Sequence, residues 1–418
     1  MPTVTNWSRN QTFTASAVAR PTTLAELCAL VAAAPRVKVL GSAHSFNASA
    51  DPEGGLLVCL DALAGRAPVV DAAASTVTVG AGVTYAALAD ALRATPFALH
   101  NMASLPHISV GGAIATATHG SGAALGSLAS AVRALEVVRA DGRVDALAGA
   151  GAAAAAVHLG ALGVVTRVTL ALVPARDFSQ TVYEGLPWAA SLANLRALLG
   201  AAASVSLFTT WRAPLAFELA WRKAAEGEPA APAEWAGGTR AAAPRHPCGA
   251  GVDAAPCTAQ GGARASWADI LPHFRASFTP SVGEELQAEY FVAADDAGAA
   301  LAALEPLAPA IAPLLFVTEV RAVARDDAAP LATAAGRESV AIHFTFRPEL
   351  AAVAALLPRV EAALAPFGAR PHWGKLFAMD AAALARVYPR LPEFVAARRA
   401  ADPGGKFLNA FLRDAGLE

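Results

Sequence analysis

Residues 103–122, ASLPHISVGGAIATATHGSG, constrain the fold more than any other part of the chain. Apolar side chains are few and small there, and Gly111, Gly112, Gly120 and Gly122 let a backbone come close to whatever packs on it. Ser109, Thr116, Thr118 and Ser121 add hydroxyl donors. Two readings stand open: a tight Gly/Ala crossing inside a core, or a cradle for an extended, diphosphate-bearing cofactor. His107 and His119 lie beside turn signals and read on their own as structural.

A second stretch of small residues lies upstream. Residues 37–40 read as a strand that runs into Gly41-Ser42-Ala43-His44-Ser45-Phe46-Asn47, a turn able to gather backbone N–H groups into a phosphate-binding nest. It is not a nucleotide P-loop, because no Gly-Lys-Ser/Thr follows. His44 is either an exposed loop histidine or a group with room for a bulky neighbour.

With 418 residues the chain is about twice the usual domain size, and two domains are expected. It is 55% hydrophobic and 16% charged, enough for a large core. A net charge of -2 with no basic patch argues against nucleic acid as a partner. Residues 1–10 are polar and lack the pattern of a secretory signal. Residues 146–165 are mostly Ala and Gly, interrupted by His158, and no membrane span is expected. Cys28 and Cys59 sit in apolar segments and read as buried thiols. Cys248 and Cys257 flank a Gly/Pro loop near His246; a metal site would want shorter spacings and more ligands, and whether the two pair is left open. A cytoplasmic enzyme without a metal fits best.

Hydrophobic period and turn residues sketch the elements. A helix is expected over 24–34, a strand over 76–79, and a helix capped by Thr84 with Tyr85, Leu88 and Leu92 inward. Strands follow over 132–138 and 164–173, with a weaker one over 143–147 after the Asp141-Gly142 turn. Past Pro174 come strands over 204–209, 289–292, 316–323 and 339–346, and helices over 295–305 and 350–364, the latter expected to kink or restart at Pro358. Residues 224–265, rich in Pro, Gly and Ala, read as a long surface loop, and the low-complexity run 148–156 as carrying no chemistry. The mixture argues an α+β fold.

Strand geometry supplies the next clue. Residues two apart share a face, so Glu319 and Arg321 lie together, as do His343 and Thr345 opposite large apolar neighbours. If these strands share a sheet, one face carries an acid, a guanidinium, an imidazole and a hydroxyl. That face suits a substrate with several hydroxyls, although alternation alone favours a solvated sheet face. In Pro371-His372-Trp373-Gly374-Lys375 an ammonium lies beside aromatic and imidazole groups, where its pKa can drop or it can fix an alkoxide.

Together these segments resemble the sugar-alcohol (alditol, xylitol) oxidases of the vanillyl-alcohol-oxidase group of FAD proteins. The matching pieces are Thr5-Asn6-Trp7, VLGSAHSFN at 39–47, NMASLPHISVGGAIATATHGSG at 101–122, LGALGVVT at 159–166, SLFTTWRAP at 206–214, TEVRAVA at 318–324, IHFT at 342–345, PFGARPHWGK at 366–375 and KFLNAF at 406–411, in family order. The resemblance implies FAD bound covalently through His44, whose ring nitrogen would bond the flavin 8α-methyl carbon. The cofactor-binding set it implies is Val39, Leu40, Gly41, Ser42, Ala43, His44, Ser45, Ser104, Ser109, Gly112, Thr116, Ala117, Thr118, His119, Val165 and His372. Ser104, Glu319, Arg321, Thr345 and Lys375 correspond to substrate contacts, and His343, Lys375 and Arg321 to the catalytic groups. Ala43 stands where the family commonly has glycine, and alanine is expected to fit only with a negative φ. The residues before Leu159 and the 224–265 loop also depart from the family pattern.

The implied architecture is a two-domain FAD-binding fold of this family, with an FAD domain over 1–173, an antiparallel-sheet substrate (cap) domain over 174–373, and residues 374–418 completing the FAD domain. The implied reaction oxidises the terminal CH–OH of polyols such as xylitol or sorbitol to the aldose, with dioxygen reduced to hydrogen peroxide. An aldonolactone oxidase or dehydrogenase of the same fold is the rival. The expected partners are a small polyol and dioxygen, without nucleic acid or membrane, and the chain is expected to be a monomer.

Overall fold

The computed structural model describes residues 3–249, 251–278 and 285–418. Near the N-terminus, Leu56–Cys59 lies between Ala17–Ala19 and Val37–Leu40 in a small parallel sheet. Helix Leu24–Ala33 links two of these strands; Thr23 caps it by accepting from the Glu26 N–H, and it buries Leu27 and Val31. A five-stranded antiparallel sheet follows in the order Val144–Ala148, Val132–Val138, Val164–Ala171, Thr76–Gly80, Val69–Asp71. Thr84 caps Tyr85–Leu92, which buries Tyr85, Leu88 and Leu92. The alanine run at 148–156 contains helix Gly149–Ala154, whose small side chains let it lie close on the edge of this sheet.

The second half is dominated by a ten-stranded antiparallel sheet. Its centre runs Asp177–Pro187, Ala216–Ala225, Ser204–Thr209, Leu315–Val323, Ser339–Phe346, Leu286–Ala293 and Arg370–Pro371. One face is apolar: Leu207, Val320, Ile342, Phe344, Ala288 and Tyr290 pack with Leu301, Leu304, Val353, Leu357 and Val360 of two covering helices, Ala297–Leu304 and Leu350–Leu364. The helical runs Ala297–Leu314 and Leu350–Phe367 are long and apolar enough to cross a membrane by composition. Here they set their leucine and valine stripes against the sheet.

The final segment returns to the first half. Trp373, Leu384, Tyr388, Phe394, Phe407 and Leu412 share a core with Val31, Val37, Val79 and Val164.

Three expectations need correction, and one pair of strands goes beyond them. Pro358 neither ends nor restarts its helix, which continues from Leu350 to Leu364. Proline removes one backbone bond, but the buried stripe Val353, Leu356, Leu357, Val360 and Leu364 offsets that loss. The strands Asp177–Pro187 and Ala216–Ala225, the longest in the large sheet, carry no clear sequence signal. Ala-Phe-Glu-Leu-Ala-Trp-Arg-Lys-Ala-Ala favours helix by propensity, and pairing on both sides overrides it. The 224–265 segment is more than a surface loop, since Glu234–Trp235, Gly238–Arg240 and Arg264–Ser266 join the sheet and His246, Pro247 and Cys248 turn inward to line a cavity. Lastly, Ala43 has a φ of 58°, in the left-handed region, against the expectation that alanine fits there only with a negative φ. Its carbonyl accepts from the Trp7 N–H at 2.7 Å, which helps hold this conformation.

Candidate active site

A cavity of about 590 Å³ is walled on one side by the small-residue segments and on the other by the polar face of the large sheet. All but one of the residues expected to touch the cofactor line it, together with Ser104, Glu319, Arg321, His343, Thr345 and Lys375. The exception is Ala117, which is fully buried behind the wall with a φ of 55°.

The first wall is built from backbone and small groups. Ser42 Oγ accepts from the Ser109 N–H at 3.2 Å and joins the two segments. A Cβ at Gly41 would lie 2.3 Å from Ser109 Oγ, so any larger residue there must displace that hydroxyl. The loop between strands Thr3–Thr5 and Thr12–Thr14 braces the turn: Asn6 Nδ2 donates to Ser45 O at 2.8 Å and Asn10 Nδ2 to Phe46 O at 2.7 Å. Trp7 stacks on the His44 ring with centroids 4.9 Å apart. His44 Nδ1 donates to Ser42 O at 3.0 Å, while Nε2 is buried without a partner. Burial pushes the His44 pKa down, so the ring is neutral near pH 7. Ser109 Oγ is also buried and unpartnered. Orphaned polar atoms on an elongated wall of glycine, serine and threonine fit a long cofactor with phosphate and heteroaromatic parts.

The second wall is charged. In register, Glu289, His343 and Glu319 form one row across three adjacent strands, which places their side chains on the same face. Arg321 Nη2 donates to Glu289 Oε1 at 2.8 Å and Nη1 to Ser104 Oγ at 3.2 Å. Lys375 Nζ donates to Glu289 Oε2 at 2.5 Å and to His343 Nδ1 at 2.6 Å. The other ring nitrogen of His343 lies 3.0 Å from Thr345 Oγ1. Glu289 thus ties the guanidinium to the ammonium, and sequence reasoning missed it. The clue was a lone carboxylate inside the apolar strand Ala288-Glu289-Tyr290-Phe291-Val292.

Burial would raise the Glu289 carboxyl, but Lys375, His119 and Arg321 overcome it and hold the group well below the usual carboxylate range. Glu319 is likewise held low: desolvation works against ionisation, and Arg321 and His273 outweigh it. Desolvation, reinforced by Lys375, pushes His343 down to about 4, so its ring is neutral. Burial also lowers the Lys375 ammonium, with Glu289 pulling the other way. Among the described residues no three His, Cys, Asp or Glu side chains group as metal ligands. All four cysteines are thiols; burial pushes Cys248 and Cys257 up to about 12.

Residues 15–147 match the family model of the FAD binding domain, and residues 284–415 that of D-arabinono-1,4-lactone oxidase. An alditol oxidase from Streptomyces sp. (strain IKD472 / FERM P-14339) is 46% identical over 98% of both chains. The chain belongs to the vanillyl-alcohol-oxidase family of FAD-binding proteins, among the alditol oxidases. A second relative in this family, the L-gulono-1,4-lactone dehydrogenase of Mycobacterium tuberculosis (strain ATCC 25618 / H37Rv), is 29% identical over 99% of this chain and 98% of its own. The fold matches that of cholesterol oxidase from B. sterolicum with a TM-score of 0.78 at 14% identity, covering 99% of this chain and 96% of that one. As a member of this family the chain binds FAD, and the wall of small residues described above lies largely within the matched FAD-binding region.

Proposed function

We propose that this protein is an FAD-dependent alditol oxidase that converts the terminal CH–OH of polyols such as xylitol or sorbitol to the aldose and reduces dioxygen to hydrogen peroxide. The observation that carries this reading is the meeting of a small-residue cofactor wall and a charged, donor-and-acceptor sheet face in one cavity. FAD, held by the small-residue wall, would supply the hydride acceptor for the carbinol carbon and the route for electrons to dioxygen. Glu319 accepts from inner hydroxyls of the chain-like substrate, and Arg321 donates to them, with Ser104 and Thr345 holding others. The carbinol proton moves to the His343–Lys375 couple. The ion pair of Lys375 with Glu289 stands behind that couple and compensates the positive charge it gains. Such general-base assistance is worth ~10²–10⁴-fold. Ala103, next to Ser104 and lining the cavity, leaves dioxygen a path.

His44 holds the cofactor covalently through a ring nitrogen bonded to the flavin 8α-methyl carbon. The support is its neutral ring, clamped by Trp7 and Ser42, with one nitrogen unpartnered. Residues 1–173 with 374–418 form the FAD-binding unit and 174–373 the cap. The groups named above all come from one chain, so a monomer suffices, and free thiols suit the cytoplasm. No nucleic acid, membrane or metal enters this reading.

Turnover on xylitol and sorbitol, compared with gulono- and galactonolactone, tests the assignment. Steady peroxide release is expected with the alditols and far less with the lactones. Preference for a lactone would move the chain to the aldonolactone oxidases or dehydrogenases, which the match over residues 284–415 keeps as the rival. Covalent attachment is tested separately: acid-precipitated protein should stay yellow, and a His44→Ala variant should release any FAD it binds.

A further inference from the structure

Behind Glu319 lies a buried array that the reaction described above does not use. Lys223 is fully buried on the strand Ala216–Ala225. Its Nζ meets Leu271 O at 2.7 Å, Pro272 O at 2.9 Å and His273 Nδ1 at 3.1 Å, and among the described residues no carboxylate forms an ion pair with it. His273 Nε2 in turn lies 2.6 Å from Glu319 Oε1.

Hydrogen-bond chemistry sets the donors and acceptors of this array. An ionised carboxylate only accepts, so His273 Nε2 carries the hydrogen and donates to Glu319. Burial drives the His273 pKa down to about 4, so the ring is neutral and Nδ1 is left as an acceptor. All three partners of Lys223 are then acceptors; burial lowers its pKa to about 7, with Glu319 pulling the other way, and the protonated form, with three hydrogens, is the one that satisfies them all. Burying a cation without a counter-charge is costly, which makes packing alone a poor reason for it. The same short segment also touches the opposite wall, because the N–H groups of His273 and Phe274 both donate to Ser104 O at 3.1 Å.

We propose that Lys223 and His273 are positioning residues for polyol binding: the ammonium fixes the His273 tautomer, and the ring Nε2–H anchors Glu319 so that its free lone pairs face the substrate's inner hydroxyls. This rests on the reading of Glu319 as a polyol contact. The arrangement is a chain from Lys223 through His273 to Glu319, with Ser104 pinned by the same loop.

The test compares two amides at position 273 in FAD-loaded enzyme. Glutamine places its amide where Nε2 stands and can still donate to Glu319; asparagine is too short to do so. For His273→Asn, KM for xylitol should rise about ten- to hundredfold, the range of a hydrogen bond to a charged group. The limiting rate of flavin reduction should change less than about threefold on that basis. His273→Gln should restore KM to within about threefold of the wild type. Lys223→Met should behave like His273→Asn. On a Glu319→Gln background, His273→Asn should add little, since its partner is already altered. If Asn and Gln at 273 give the same KM, or if His273→Asn lowers the reduction rate and leaves KM unchanged, the inference is overturned. Should Glu319→Gln itself leave KM unchanged, the polyol reading of Glu319 fails instead, whatever position 273 does.

Discussion

The two walls of the cavity solve opposite problems. The wall contributed by residues 39–45 and 103–122 works by having almost no side chains: glycine at 41 packed close against Ser109, hydroxyls that tie one loop to the other, and a histidine held flat by Trp7. The wall contributed by the large sheet works by crowding charge, with Glu289, Glu319, Arg321 and His343 buried side by side and Lys375 half-buried among them. A cofactor common to a whole family is gripped by backbone and shape, which tolerate little change in volume. A small polyhydroxylated substrate is read by donors and acceptors, and these are fixed only if each buried charge has a partner. Substitutions on the sheet should therefore alter chemistry and substrate affinity, whereas those on the cradle should alter fit and stability.

The largest effect should come from Lys375→Met. It removes the ammonium that bonds both Glu289 and His343, and flavin reduction at saturating xylitol should fall ~10²–10⁴-fold while FAD content stays near that of the wild type. An unchanged reduction rate in stopped flow would remove Lys375 from the proton path. Arg321→Ala should chiefly weaken substrate binding, raising KM about ten- to hundredfold. It should also lower the melting temperature, because Glu289 and Glu319 lose a buried cation.

Acid should expose the same asymmetry. Burial holds His343 and His273 on the sheet side, and His158 on the cradle side, at about 4 against an ordinary 6.5. A histidine depressed in the folded state stabilises fully above its unfolded pKa, and that stability drains away as pH falls from about 6.5 toward 4. The depressed carboxyls of Glu289 and Glu319 add a further loss below about 4.5, as protons bind the unfolded chain first. Melting temperatures should thus decline from pH 7 through pH 5 and more steeply below. A flat profile would mean that these rings are not buried in neutral form. The smallest effect should come from the cradle: Ala43→Gly relieves a left-handed alanine and should raise stability by up to about 1 kcal/mol, read as a small rise in melting temperature with turnover unaltered.

The contrast between the walls also explains what was legible in the sequence. Small-residue runs announce themselves locally, so the cradle could be outlined from 39–47 and 103–122 alone. Alternation put Glu319 with Arg321 and His343 with Thr345, and the register then brought those faces together. Glu289, Lys223 and His273 escaped because each acquires its partner only when segments distant in the chain meet. The strands Asp177–Pro187 and Ala216–Ala225 were hidden for a related reason, since long-range pairing rather than local propensity makes them strands. Ala43 shows the limit of a steric rule applied one residue at a time: the turn is held from outside by Trp7, and the alanine follows.

The claim that one cavity joins a flavin to an alditol is tested most directly by a single turnover. FAD-loaded enzyme mixed with xylitol in the absence of air should lose its yellow absorbance, and later mixing with air-saturated buffer should restore it quickly with one hydrogen peroxide per flavin. Enzyme that stays oxidised with xylitol and sorbitol, or that once reduced stays so for minutes in air, would contradict the account.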